Sequence, residues 1–260
     1  MPLHAYGLTD KGRIRPTNED CFAIQEELGL CVVANGMGGH NAGEVAARLA
    51  VDVVVDWVRL GDCQFTPFGC DPSLSADGNL LRTAIHLANV QIREAAIDSH
   101  DYAGMGTTIV AARVRDGRLS VAHVGDSRLY LVAGRRLRQL TRDDSWMASM
   151  LSHDPGADPL LLEHHPMRNA LTNVVGARSR TEVHVAEQPL AGGELLLLTT
   201  DGVHGVLDDS RIERMLLEDE DPRVIARGVI TAALARGSRD NCTAVVARYE
   251  ALSSDSLREH

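Results

Sequence analysis

Short apolar runs recur along this chain, and several break off at, or begin from, a turn bearing an acid or an amide. Leu30–Ala34 runs into Asn35-Gly36, Arg118–Val124 into Gly125-Asp126-Ser127-Arg128, and Glu194–Thr199 into Thr200-Asp201-Gly202. Runs of this length between turn residues read as buried strands. A strand that stops at a tight turn aims its last side chain at a sheet edge, so such ends can be gathered in one place. Asn18-Glu19-Asp20 leads into the strand-like Cys21–Ile24, and Ser238-Arg239-Asp240-Asn241 leads into Asn241–Tyr249. Any one of these is an ordinary surface turn. Together they pose a charge problem. Buried unpaired carboxylates are costly, so cations or arginines must accompany them. Donor sets made only of oxygen select hard metals such as Mg²⁺ or Mn²⁺.

The elements between these runs alternate in type. Cys21–Ile24 and Leu30–Ala34 pair across Gln25–Gly29. A helix is expected from Ala42 to Leu60, capped by Asn41, with an apolar row at Val45, Leu49, Val53 and Trp57 and a polar row at Glu44, Arg48, Asp52 and Asp56. Residues 61–78 read as loop. A second helix follows from Asn79 to Ser99, with Leu81, Ile85, Ala88, Ile92 and Ala95 on one face. Thr107–Arg115 and Arg118–Val124 form a hairpin about Asp116-Gly117, and Leu129–Val132 is a third strand. Thr141–Ala177 is an irregular excursion. Strands at Val183–Ala186 and Glu194–Thr199, helices at Asp209–Glu218 and Pro222–Ala235, and the strand Asn241–Tyr249 complete the pattern. There is no internal repeat or linker, so one domain is expected over residues 1–252, with a polar tail at 253–260.

Aromatic residues make up only 3% of the chain, so the core must be built from Leu, Val, Ile and Ala. The formal net charge of -10 argues against nucleic acid as a partner. No run is long and apolar enough for a membrane span, and the first residues lack a leader pattern, so a cytoplasmic protein is expected. The five cysteines form no C-x-x-C pair and read as buried free thiols. Cys242 and Arg248 have the spacing of cysteine phosphatases, but the residues between them carry no phosphate-cradling glycine, so the match reads as a coincidence within a strand.

Six motifs in order resemble the metal-dependent protein phosphatases, the protein phosphatase 2C family, in its bacterial form. They are Arg15-Pro-Thr-Asn-Glu-Asp20, Val33-Ala-Asn-Gly-Met-Gly-Gly-His40, Gly104-Met-Gly-Thr-Thr108, Val124-Gly-Asp-Ser-Arg128, Thr200-Asp-Gly202 and Gly237-Ser-Arg-Asp-Asn241. The resemblance implies an α+β fold, a four-layer α/β-β/α sandwich of two antiparallel sheets flanked by helices. It implies hydrolysis of phosphoserine and phosphothreonine on proteins by a metal-bridging water, with two ions of Mn²⁺ or Mg²⁺ and a third in bacterial members. The metal ligands would be position 35, the Gly36 carbonyl, Asp201 and Asp240, with Glu19 and Asp20 holding waters and Asp126 joining Asp201 at the third ion. Arg15 would grip the phosphate, Asn241 belongs to the last motif, and residues 144–177 form a variable flap. Met37 stands where eukaryotic members carry a candidate acid histidine; His40 is nearby, and a loop histidine with no catalytic role is the simpler reading. The expected partners are phosphorylated proteins, substrates of a serine/threonine kinase, met by a monomer that binds neither nucleic acid nor membrane.

Asn35 departs from this pattern. The family has a bridging aspartate there, and an amide offers one neutral oxygen in place of two charged ones. Three accounts stay open: an engineered inactive variant, favoured because every other ligand position is intact; a natural pseudophosphatase that binds phosphoproteins without turnover; or an enzyme that tolerates weaker metal binding.

Overall fold

The computed structural model describes residues 3–39, 42–61, 67–154, 156–218 and 221–250. His40, the Asn41 cap, Cys63 and the tail 253–260 lie outside the described residues. The strands in chain order are β1 Leu3–Asp10, β2 Asp20–Gln25, β3 Leu30–Met37, β4 Gly106–Thr107, β5 Ile109–Arg115, β6 Arg118–Val124, β7 Arg128–Ala133, β8 Arg136–Gln139, β9 His184–Pro189, β10 Leu195–Thr199 and β11 Cys242–Tyr249. The helices are α1 Ala42–Leu60, α2 Ala76–Asp98, α3 Trp146–His153, α4 Pro159–Glu163, α5 Asp201–His204, α6 Asp209–Glu218 and α7 Pro222–Ala235.

Two antiparallel sheets result. One has the order β1-β11-β10-β7-β8, the other β2-β3-β5-β6-β9 with β4 beside β3. They face each other between two helical layers, as the resemblance implied. The apolar runs follow from this stacking, because each sheet is covered on both faces and its central strands must be apolar on both sides. In β3, Leu30, Val32 and Ala34 pack toward α1 and α2, while Cys31 and Val33 enter the layer between the sheets. In β10, Leu196 and Leu198 enter that same layer, and Leu195 and Leu197 meet the helices α5–α7. The Asp116-Gly117 turn between β5 and β6 has both φ angles positive, +50° and +71°, as a tight two-residue hairpin requires.

Several expectations shift. In α1 the buried stripe is Ala46, Ala47, Ala50, Val51, Val54, Val55 and Val58, whereas Val45, Leu49, Val53 and Trp57 are half-buried at its flank. A strict every-fourth-residue row creeps around a helix of 3.6 residues per turn, so it cannot stay centred on a sheet. Small alanines at the contact let α1 sit close. α2 begins earlier than expected, at Ala76, where the Ser75 hydroxyl accepts from Gly78 N (3.2 Å). β1 and β8 are not expected from the apolar runs, because Gly and polar residues interrupt them throughout. Cys21, Cys31 and Cys242 are buried free thiols, but Cys70 is exposed. Among the described residues no helix is long and apolar enough to cross a membrane.

Candidate active site

The strand ends meet at one end of the sandwich in a cleft of about 240 Å³ lined by Arg15, Glu19, Asn35, Gly36, Asp126, Asp201 and Asp240, with Thr108, Asn169 and Leu171 on its walls. The topology makes this meeting unavoidable. Asp20 and Asn35 are cross-strand partners in β2–β3, Asp126 follows β6, Asp201 opens α5 just after β10, and Asp240 precedes β11. Position 36 must be glycine, since a Cβ there would lie 1.9 Å from Gly43 O at the start of α1. At Gly202 a Cβ would lie 1.8 Å from Asn241 O, so the turn carrying Asp201 packs directly on the turn carrying Asp240.

Asp20 is the most deeply placed acid. Its Oδ2 accepts from the hydroxyls of Thr200 (2.8 Å) and Thr243 (2.6 Å), while its Oδ1 is buried with no hydrogen-bond partner among the described residues. Burial pushes its pKa up to about 7 against the pull of those hydroxyls. Asp126 is raised to about 7 by burial and then by Asp201; Asp201 is raised to about 6 by burial and then by Asp240. Burial also raises Glu19. Burial, and at Asp126 and Asp201 a neighbouring acid, therefore penalises the charged forms of these carboxylates.

Two groups answer part of that charge. Arg15 Nη2 donates to Asp240 Oδ2 (2.7 Å). Asn35 Nδ2 donates to Asp201 Oδ1 (2.9 Å), and so presents a donor to the carboxylate with which it was expected to share a cation. Among the described residues no three His, Cys, Asp or Glu side chains converge closely enough to hold an ion. At position 35 an amide stands among the acids.

The residues present fit hard cations in two respects: the donors aimed at the cleft are oxygens, and Asp20 offers an orphaned buried oxygen. Asn35 lowers that fit without abolishing it, since its Oδ1 can still coordinate.

Several supporting residues gave little signal in the sequence. Thr108 Oγ1 accepts from Asn35 N (3.2 Å) and shares a hydrogen bond with Ser127 Oγ (2.7 Å), linking β3 to the Asp126 turn. Thr200 stood in a turn motif without a role of its own, and Thr243 read as an ordinary strand former. Asn241, singled out from the last motif, proves to be a staple. Its Oδ1 accepts from Glu19 N (2.9 Å), and its Nδ2 donates to Lys11 O (2.8 Å) and Thr17 O (2.9 Å), fixing the loop that carries Arg15 and Glu19. Met37 lines the cleft. Cys242 lies in β11, and burial pushes its thiol up to about 11, as a strand residue and not a nucleophile requires. The excursion expected over 141–177 forms α3, α4 and irregular chain. It borders a groove of about 640 Å³ continuous with the cleft through Asp126, Asn169 and Asp201.

Comparison with known proteins identifies the family and the fold. The family model described as Protein phosphatase 2C matches residues 16–223. A serine/threonine phosphatase, Stp, of Listeria monocytogenes is 33% identical over 247 residues, which is 94% of this chain and 95% of that protein. Among solved structures, the Mycobacterium tuberculosis serine/threonine phosphatase PstP/Ppp superposes with a TM-score of 0.82 at 31% identity, over 95% of this chain and 99% of that one. The catalytic domain of a phosphatase PstP in complex with two manganese ions superposes at 0.79 with 29% identity, over 95% and 98% of the two chains.

Proposed function

The chain belongs to the protein phosphatase 2C family, and on that premise we propose that it is a metal-dependent phosphatase of protein phosphoserine and phosphothreonine whose turnover is impaired by Asn35. The observation that carries the second half is the 2.9 Å hydrogen bond from the Asn35 amide to Asp201. A mixed core joining both sheets, with Val33, Leu131, Leu196 and Val245 among its members, supports a single domain.

Asp201, Asp240, the oxygen of residue 35 and the Gly36 carbonyl would hold the ions directly, with Glu19 and Asp20 anchoring their waters and Asp126 serving a third. Bound divalent cations supply a water nucleophile and neutralise charge on the transferring phosphoryl group. Arg15 orients the substrate: its guanidinium leaves Asp240 to fork onto two phosphate oxygens once that carboxylate is engaged elsewhere. Thr200 and Thr243 keep Asp20 oriented, and Asn241 keeps Arg15 and Glu19 on the rim. The expected ions are Mn²⁺ or Mg²⁺, the expected partners are phosphoproteins made by a serine/threonine kinase, and the expected setting is a cytoplasmic monomer.

The same amide favours a second reading, a phosphoprotein-binding pseudophosphatase, because a donor aimed at Asp201 competes with a cation for it. One comparison separates the two. Fresh Asn35 protein and Asn35→Asp are assayed on a phosphothreonine peptide with saturating Mn²⁺. The Asp form is expected to be about 10–100-fold faster or more, the usual scale of a disturbed metal shell. Equal rates would remove residue 35 from the site. No turnover in either form, with the phosphopeptide still bound, would establish the pseudophosphatase.

A further inference from the structure

Asp144 stands at the entrance to the flap, and three separate parts of the fold converge on it. Its backbone N donates to Gly125 O (3.0 Å), and Gly125 N donates back to its Oδ2 (2.9 Å). At the flap exit, Asn173 Nδ2 donates to the same Oδ2 (2.8 Å) and Thr172 N donates to its carbonyl (2.8 Å). From β9, His184 Nε2 lies 2.9 Å from its Oδ1. The side chain is only 13% exposed, so these bonds compete little with water. Its neighbour Asp143 takes Arg128 by two hydrogen bonds, at 2.9 and 2.7 Å. The turn Gly125–Arg128, which carries Asp126, is therefore gripped at both ends by adjacent acids. Inside the flap roots, Ser145 pairs with Leu171, and Trp146 N donates to Ala170 O (2.8 Å). Asn169 and Leu171 line the cleft together with Asp126.

We propose that Asp144 is a positioning residue that locks both roots of the flap to the Gly125–Asp126 turn, so that flap and Asp126 frame the cleft as one rigid unit. It touches neither cleft nor substrate, and its effect on reaction rests on the phosphatase reading above. Asp143 cannot replace it, being committed to Arg128. An asparagine could: its oxygen would accept from Gly125 and Asn173, and its NH₂ would face His184, whose Nε2 accepts in the other tautomer.

Hydrogen exchange read by mass spectrometry on the full chain tests this without any assay of activity. Asp144→Ala is expected to speed exchange about tenfold or more in residues 125–127 and 145–173, while β10 and β11 stay as protected as before. Asp144→Asn is expected to stay near the unsubstituted protein. Unchanged exchange in Asp144→Ala overturns the proposal, as does equal loosening in Asp144→Asn. Should Asp144→Ala fail to fold, Asn173→Ala takes its place. That change removes the strut at the exit together with the bonds of Asn173 to Thr181 and Glu182, so it must loosen residues 168–173 and spare 125–127; loosening of neither or of both overturns the proposal. In an Asn35→Asp background, Asp144→Ala should lower kcat/KM about tenfold for a phosphopeptide and much less for p-nitrophenyl phosphate. Equal losses on the two substrates count against a flap-positioning role. If Asn35→Asp has no turnover, the phosphatase reading fails and the exchange result still decides the role of Asp144.

Discussion

Replacing Asn35 by aspartate should make the protein less stable in chelator and more responsive to Mn²⁺. The substitution removes the amide donor from Asp201, a hydrogen bond to a charged acceptor worth about 1.5–3 kcal/mol. It also sets a second carboxylate against one already raised to about 6 by burial and Asp240. Two charges about 4 Å apart repel by about 4 kcal/mol at an effective dielectric of 20, and the pair limits that cost by sharing a proton. A net loss of about 2–4 kcal/mol is expected near neutral pH. For a domain of this size each kcal/mol moves Tm by roughly 2–4 °C, so Asn35→Asp should melt about 5–15 °C lower in EDTA. The sign with pH follows. A carboxylate whose folded pKa is raised destabilises as pH climbs from its unfolded value to its folded one, so the gap between the two forms should narrow toward pH 5. Mn²⁺ should close that gap, since one ion at 100 times Kd adds about 2.7 kcal/mol, the size of the loss itself, to whichever form binds it. Differential scanning fluorimetry in EDTA and across a Mn²⁺ series reads all of this. If Asn35→Asp melts as high as the Asn form in EDTA, or both gain equally from Mn²⁺, position 35 does not stand among the ligands.

Arg15→Ala should raise KM for phosphopeptide in the Asn35→Asp background and change Mn²⁺ affinity by less than about fivefold. The Arg15–Asp240 pair is half exposed on the arginine side, where such pairs contribute about 0–1 kcal/mol, and calorimetric loss of Mn²⁺ binding would refute the assignment. Asn-Gly sequences are prone to deamidation, yet here Gly36 N donates to Glu19 O (3.0 Å) inside β3 and the Asn35 amide is held by Asp201. Native protein aged for weeks should therefore retain Asn35 by peptide mass spectrometry while urea-unfolded chain converts; equal rates would refute this protection. The His184–Asp144 pair should stabilise the fold best between about pH 4 and 6.5, because Asp144 is lowered, against its burial, by hydrogen bonds from His184, Gly125 and Asn173, and His184 is raised by its bond to Asp144. The histidine contribution is complete below about 6.5 and lost as pH rises through the raised folded value, so His184→Gln should flatten the fall of Tm between pH 6 and 8. An unchanged slope would exclude the pair as its source.

How much of this could be read from the residues depended on what each was for. α6 and α7 were bounded as found because Asp and Pro mark their starts and their buried faces follow a helical period. The strand ends were visible because a strand covered on both faces is apolar throughout and stops abruptly. β1 and β8 were invisible for the converse reason: at a sheet edge, half-buried Tyr6, Leu8 and Leu137 alternate with polar residues too weakly to stand out. Asp126, Asp201 and Asp240 were found from glycine and acid together. Thr108 and Thr200 stood in the quoted motifs without a role, and Thr243 gave no signal, since a threonine hydroxyl looks the same in sequence whether it is idle or supports its neighbours. Nor could the sequence foresee that Arg15 rests on Asp240, because which acid a long side chain meets is decided by tertiary packing.

The position of β11 has a bearing on synthesis. The last strand of the fold is not at an edge; it lies between the first strand, β1, and β10, with Leu3 opposite Tyr249. Asp240 and Asn241, at its entrance, close the cleft and staple the Arg15 loop. A growing chain on the ribosome can thus bring Asp20, Asn35 and Asp126 together in the β2-β3-β5-β6 sheet before Arg15 and Asp201 are fixed against them. The other sheet awaits contacts between the two ends of the sequence, the slow class of contact in folding. Until β11 emerges, β1 and β10 have no partner between them, and neither Asp240 nor the Asn241 staple of the Arg15 loop is in place. Assembly of the cleft thereby waits on β11, and a product cut short before Asp240 would lack a complete cleft.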